Sequence, residues 1–183
     1  MPRPAQLDRV MVLTAALELA DERGLEELSM RAVARRLGVT PMALYRHVGD
    51  KGALLDGLVE MLLVELPMPG AGAGWRGQLG QMATALRDTA RRHPSVFPLL
   101  LLRPAVTPGA LRVRAVVDDA LREAGLPESE VRRAERMITT FVIGFAASES
   151  GGRFSAGPAE LDAEFAWFGD RLLRAVLGDA RGG

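Results

Sequence analysis

Between Leu28 and Lys51 the chain sets Arg31, Arg35, Arg36, Arg46 and Lys51 against one carboxylate, Asp50, although the whole sequence has a formal net charge of zero. Tyr45 and His47 stand among these cations. Such residues act on a polyanion: guanidinium and ammonium groups neutralise phosphates and release their counterions. Hydroxyl, imidazole and guanidinium donors can reach phosphate oxygens or base edges. Catalysis has less to draw on. There is no cysteine, which removes a thiol nucleophile, thiolate metal sites, thiol redox sensing and disulfides together. Asp118, Asp119, Glu149 and His93 are the only material for a polar catalytic site, and no nucleophile–base spacing accompanies them. His47 and His93 lie too far apart in sequence to imply an imidazole metal site. The expectation is a protein that is not an enzyme and uses no metal or cofactor.

The cationic stretch needs a scaffold, and the flanking pattern supplies one. A first helix is expected from Leu7 to about Arg23, capped by Asp8, with Leu7 and Val12 as a staple and Leu13, Ala16, Leu17 and Ala20 on its buried stripe. Gly24 ends it, and Leu25 and Leu28 pack beneath the following turn. Ser29 caps a second helix that runs to Leu37, with Val33, Ala34 and Leu37 inward, and Gly38 stops it. Thr40-Pro41 restarts the chain as a cap followed by a first-turn proline. The third helix, Pro41 to Val48, turns Leu44 and Val48 to the core and Met42, Tyr45 and Arg46 outward. Asp50 caps a fourth helix, Lys51 to about Leu66. Its broad apolar face (Leu54, Leu55, Leu58, Val59, Leu62 and Leu63) suits a helix that serves two cores.

Two helices joined by a short turn, the second basic and aromatic outside, fit a helix-turn-helix reader of DNA. In that reading Arg31, Met42 and Arg46 reach base edges, Tyr45 and His47 donate to phosphates, and Lys51 serves the backbone. Thr40 and the start of the third helix suit a phosphate or base edge through the helix dipole. Charge and turn alone fit an ordinary solvated helical face equally well.

A chain of 183 residues, 48% hydrophobic with positive mean hydropathy, is long enough to bury a core without metals or disulfides. No window has eighteen uncharged apolar residues and MPRPAQLDRV has no signal-peptide core, so no membrane span and a cytoplasmic location are expected. PMPGAGAG, Pro67 to Gly74, reads as a linker and divides the chain into domains at residues 1–66 and 67–183. Helices are then expected from Trp75 to Arg92, Ser95 to Leu102, Pro108 to Ala124, Glu128 to Ser150 and Pro158 to Leu177. No segment alternates with period two. The fold class is all-α.

The stretch ALELADERGLEELSMRAVARRLGVTPMALYRHVGDKGALLDGLVEMLL resembles the N-terminal domain of TetR-family transcriptional regulators. Their pattern is a helix ending in Gly, then L-[ST], R-x-[VL]-A-x-x-L-G-V, a polar turn, and L-Y-x-H-V-x-x-K-x-x-L-L. Gly24, Leu28-Ser29, Arg31, Val33-Ala34, Leu37-Gly38-Val39, Leu44-Tyr45, His47-Val48, Lys51 and Leu54-Leu55 carry the match. The resemblance implies that Arg31, Pro41, Met42, Tyr45 and Arg46 lie near base edges, and Ser29, Tyr45, His47 and Lys51 near phosphates. It also implies a homodimer on a near-palindromic double-stranded operator, acting as a repressor that a small-molecule effector releases. A regulator or activator of transcription without a small ligand is the alternative.

The remainder resembles, more loosely, the C-terminal domain of the tetracycline-repressor branch. Shared features are Trp75 early in its first helix, His93 closing that helix, and the Phe141-to-Gly144 spacing. This implies a helical ligand-binding and dimerisation domain. Trp75, Leu79, Met82, Leu86, Phe97, Leu100, Val117 and Phe141 are the expected pocket walls, although helical spacing makes each equally a core residue. Ile138, Phe145, Leu161, Phe165, Phe168 and Leu172 are the expected dimer contacts. His93 and Glu149 match positions that hold a metal in that branch, but the branch's drug-gripping His and Asn have no counterpart here. His93-Pro94 is also an ordinary helix stop. The expected effector is therefore an apolar or aromatic small molecule other than tetracycline.

Overall fold

The computed structural model describes residues 7–70 and 72–178. The first six residues of the signal-peptide reading, Ala71 of the linker and the last five residues of the second domain lie outside the described ones. Nine α-helices and no strand occur among the described residues: α1 Arg9–Arg23, α2 Met30–Leu37, α3 Pro41–Val48, α4 Lys51–Val64, α5 Trp75–Arg92, α6 Leu99–Leu102, α7 Pro108–Glu123, α8 Glu128–Ser150 and α9 Pro158–Leu177.

The first four helices start where a side-chain oxygen can take an orphan N–H of the first turn. Asp8 accepts from Met11, Ser29 from Ala32, Thr40 from Ala43 and Asp50 from Ala53. Gly38, with φ 67° and ψ 29°, ends α2 in the left-handed region that an L side chain resists. The α2–α3 turn is thereby short and sharp. Val33, Leu44 and Val48 are buried with Val12 and Ala16 of α1. An eight-residue helix does not persist alone in water. Burying Leu44 and Val48 contributes about 1.5–3 kcal/mol each and holds α3 against α1.

The helix after His93 is shorter than the sequence reading placed it. Residues 94–98 form consecutive turns and α6 begins at Leu99. Pro98 has no N–H to give, and the bonds on either side of it run over three residues, from Leu99 to Val96 and from Leu100 to Phe97.

Around α5, α7 and α8 the buried core continues, with α6 against α8 and α4, and α9 laid on α8 and tied to α5 through Asp162 with Arg87 and Arg91. Helix α4 packs on α1 and α3 with one part of its surface and on α6 and α7 with another. Polar clamps reinforce the second contact. Arg103 donates to Asp56 at 2.6 Å, Gly109 N–H donates to Glu60 at 2.9 Å, and Arg112 donates to the carbonyls of Leu63 and Val64 at 2.8 and 2.7 Å. The approach of α7 to α4 requires a residue without a side chain at 109. A Cβ there would lie 2.8 Å from Glu60 Oε2 and 2.9 Å from Leu63 Cβ. Gly109→Ala is therefore expected to push the two helices apart and cost about 1–3 kcal/mol, measured as a lowered midpoint in urea.

Candidate DNA-reading face

Helices α2 and α3 position the cationic residues differently from one another. On α3, Met42 is 66% and Tyr45 47% exposed, and Arg46 is exposed beside them. All three project from the side opposite Leu44 and Val48. An apolar thioether and a phenol ring held out in water at adjacent helical positions have no use in this chain's own packing. Pro41 and His47 are half-buried, and the His47 carbonyl accepts from Arg9 of α1 at 3.3 Å. Thr40 is exposed but its oxygen is occupied as the α3 cap. Ser29, half-buried, likewise caps α2.

Of the five cations, Arg31, Arg35 and Arg46 of α2 and α3 and Lys51 at the start of α4 are exposed and form no ion pair among the described residues. Arg36 is spent. It donates to both oxygens of Glu22, at 2.8 and 2.7 Å, and to Glu18 at 2.9 Å. Those hydrogen bonds, first to Glu22 and then to Glu18, hold its guanidinium above its ordinary range. Arg36 thus fastens α2 to α1, and the usable positive face is smaller than a count of charges implies. Arg9, which ties α1 to the end of α3, is a second positioning residue that sequence spacing did not single out.

The expected pocket residues separate into three groups. Met82, Phe97 and Val117 are buried in the core, and Trp75 packs partly buried against it. Leu79 and Phe141 line a cavity of about 380 Å³ beneath α9, together with Ile138, Phe165 and Leu172. Leu100 lines a separate, more polar cavity of about 420 Å³ between α6, α7 and α8. With Leu86 it also lines a narrower apolar space of about 80 Å³ that reaches Leu63 of α4. Arg114, Arg132, Glu135 and Thr139, on the walls of the polar cavity, were not expected from sequence. The signal was present in the 132, 135, 136, 139 spacing, which stacks polar side chains on one face of α8.

Among the expected dimer contacts, Ile138, Phe145 and Leu161 are buried within the chain, Phe165 and Leu172 are half-buried, and Phe168 is 43% exposed. Trp167, 55% exposed and packed edge-on to Phe168, extends the same surface. Leu161 is the sole fully buried residue of α9; Phe165, Leu172, Leu173, Val176 and Leu177 pack half-buried against the core, which leaves Trp167 and Phe168 as the exposed large apolar side chains of the helix.

His93 and Glu149 have other engagements. His93 Nδ1 is 2.7 Å from Asp21 Oδ2, tying the end of α5 to α1. Glu149 lies beneath two guanidiniums, with Arg87 Nε at 2.5 Å and Arg91 Nη2 at 2.7 Å, and Asp162 of α9 shares both arginines. Burial pushes the Glu149 carboxyl up, but the hydrogen bonds from Arg87 and Arg91 outweigh it and hold the group below the ordinary carboxylate range. No helix among the described residues is long and apolar enough to cross a membrane.

Residues 12–58 match the bacterial regulatory proteins of the tetR family, and residues 79–172 match the tetracyclin repressor-like C-terminal domain. The chain belongs to the TetR family. The HTH-type transcriptional repressor DrrR1 of Streptomyces coeruleorubidus is 39% identical over 151 residues, which are 81% of this chain and 55% of that relative. This TetR-family chain thus spans little more than half the length of that relative. Among solved structures, ActR of Streptomyces coelicolor in complex with actinorhodin has a TM-score of 0.81 and 25% identity, covering 98% of this chain and 100% of the other. BioQ with its double-stranded DNA operator has a TM-score of 0.81 and 28% identity, covering 94% and 99%. A TetR-family fold, all-helical with an N-terminal helix-turn-helix, is what the geometry and these likenesses share.

Proposed function

We propose that the chain is a homodimeric, DNA-binding transcriptional repressor whose head, residues 1–66, reads a near-palindromic operator and whose body, residues 67–183, dimerises and takes a small effector. The observation that carries the reading is the outer face of α3, where exposed Met42, Tyr45 and Arg46 stand beside unpaired Arg31 and Lys51. Base contacts fall to Arg31, Pro41, Met42, Tyr45 and Arg46, and phosphate contacts to Ser29, Thr40, Tyr45, His47 and Lys51. A cytoplasmic location follows from that role. The structural likeness to BioQ bound to its operator and to ActR bound to actinorhodin supports both halves of the reading.

Effector control requires a ligand that binds one arrangement of the heads better than the other. Helix α4 is the element able to report it, because it packs on α1 and α3 and also on α6 and α7. Two-fold symmetry would set the reading helices about one DNA turn apart. Sedimentation at micromolar concentration is expected to give a dimer, with Trp167→Glu in α9 shifting it toward monomer. A monomeric parent protein would contradict the proposal.

A further inference from the structure

The polar and narrow cavities share Leu100, Ala105, Arg114, Glu135, Thr139 and Ile143, so they adjoin across these side chains, a polar part beside an apolar inner end. The inner end meets Leu63, Leu86, Ala110 and Val113. At the junction the hydrogen bonding is incomplete. Arg114 Nε is buried and has no hydrogen-bond partner, while its Nη2 donates to the Ala105 carbonyl at 2.9 Å. The buried Glu135 carboxylate accepts only at long range, from Thr139 Oγ1 at 3.4 Å and Arg132 Nη1 at 3.5 Å, the Thr139 hydroxyl donating more closely to the Glu135 backbone carbonyl at 2.8 Å. Arg114 Nε and Glu135 Oε1 stand 4.0 Å apart, too far for a hydrogen bond and close enough for one oxygen to bridge.

An unmet buried donor beside an under-used buried carboxylate is costly unless a third group completes both. A group that accepts and donates through the same atom can do so across this gap; a water does, and so does a ligand hydroxyl that displaces it. A carboxylate ligand could accept from Arg114 but would face Glu135, with Asp118 behind Arg132 at 3.5 Å. An ether or hydrocarbon would leave Glu135 unmet. We infer that this space takes a hydroxyl-bearing apolar molecule, its hydroxyl accepting from Arg114 and donating to Glu135 and its apolar body directed toward Leu63, Leu86 and Val113. The inference rests on the effector-binding reading above and names the effector's chemical class. The occupant's inner end touches Leu63 of α4, the helix that meets the reading head.

The test uses isothermal titration of the full chain with 2-naphthol, 2-methoxynaphthalene and 2-naphthoate. The expected order is 2-naphthol tightest, by at least tenfold over the ether and over the acid, since a buried polar site rejects analogues that leave its groups unpaired. Arg114→Met and Glu135→Leu are each expected to reduce that preference to within threefold while the ether's affinity holds. Absence of 2-naphthol binding at 1 mM, equal affinity for the ether, tighter binding of the acid, or a preference that survives both substitutions would overturn the assignment. Operator release is scored separately on a DNA fragment selected by the protein itself. Release by the ether alone would keep the effector reading and refute the hydroxyl class. Binding of 2-naphthol without release would keep the class and refute control of DNA binding through this cavity.

Discussion

Replacing Tyr45 or Lys51 with alanine is expected to remove most of the operator shift at the lowest protein concentration that saturates the parent. Helicity and the sedimenting mass should not change. Both side chains are exposed and neither belongs to the core that holds α3, so loss of binding without loss of fold would isolate their contact with DNA. Loss of one such contact costs about 1–3 kcal/mol per half-site. A symmetric dimer loses it twice, about 2–6 kcal/mol, or roughly 30-fold to 10⁴-fold in affinity. The two variants should also differ in kind. Removing Lys51 removes a phosphate cation, so the salt dependence of binding should flatten by about one unit per protomer. Removing the uncharged Tyr45 should leave that slope close to the parent's. Arg36→Ala would act through a different route, by freeing α2 from Glu18 and Glu22, and should lower thermal stability as well as DNA affinity.

The second large effect concerns the buried pair that joins α5 to α8. Arg87 and Glu149 are each 8% exposed at the side chain and paired through Arg87 Nε. Removing both guanidiniums that hold Glu149, those of Arg87 and Arg91, would strand its charge away from water, which costs about 3–5 kcal/mol. For a chain of this size that lowers the melting temperature by roughly 6–20 °C. Arg87→Met combined with Arg91→Met should show the full loss, and Arg87→Met alone a part of it, because Arg91 still holds Glu149 at 2.7 Å. Arg87→Met combined with Glu149→Leu should recover much of it, since Arg91 and Asp162 remain to pair with each other at 3.0 Å. The same pair makes stability depend on pH. Because the folded-state Glu149 carboxyl is depressed below its ordinary 4.5, its contribution is complete above about that pH. It is lost as pH falls through the depressed value. Denaturant midpoints measured from pH 7 down to pH 3 should therefore decline in the acid range, and more shallowly in the double variant.

Much of the reading head was legible in the residues because its determinants are local. Asp8, Ser29, Thr40 and Asp50 each cap the helix that follows within three residues, and Val33, Leu44 and Val48 fall on the inward side by helical spacing alone. What escaped was set by distance along the chain. Arg36 reads as one more cation until Glu18 and Glu22 arrive beside it from α1, 18 and 14 residues away. Gly109 looks like any glycine after a proline, and only the arrival of Glu60 and Leu63 makes it indispensable. Periodicity also cannot tell a core side chain from a cavity wall, since both face inward. Met82 and Phe97 thus lie in the solid core, whereas Leu79 and Phe141 face open space. The polar cluster of Arg114, Glu135 and Thr139 combines α7 and α8 across the fold, which no single-helix pattern displays.

Footprinting of genomic DNA by the purified protein tests the central claim most directly. The account predicts protected sites with two inverted half-sites centred about one helical turn apart, bound by two chains, and lost together in Lys51→Ala. Protection of a single asymmetric element, or protection that Lys51→Ala leaves unchanged, would contradict it.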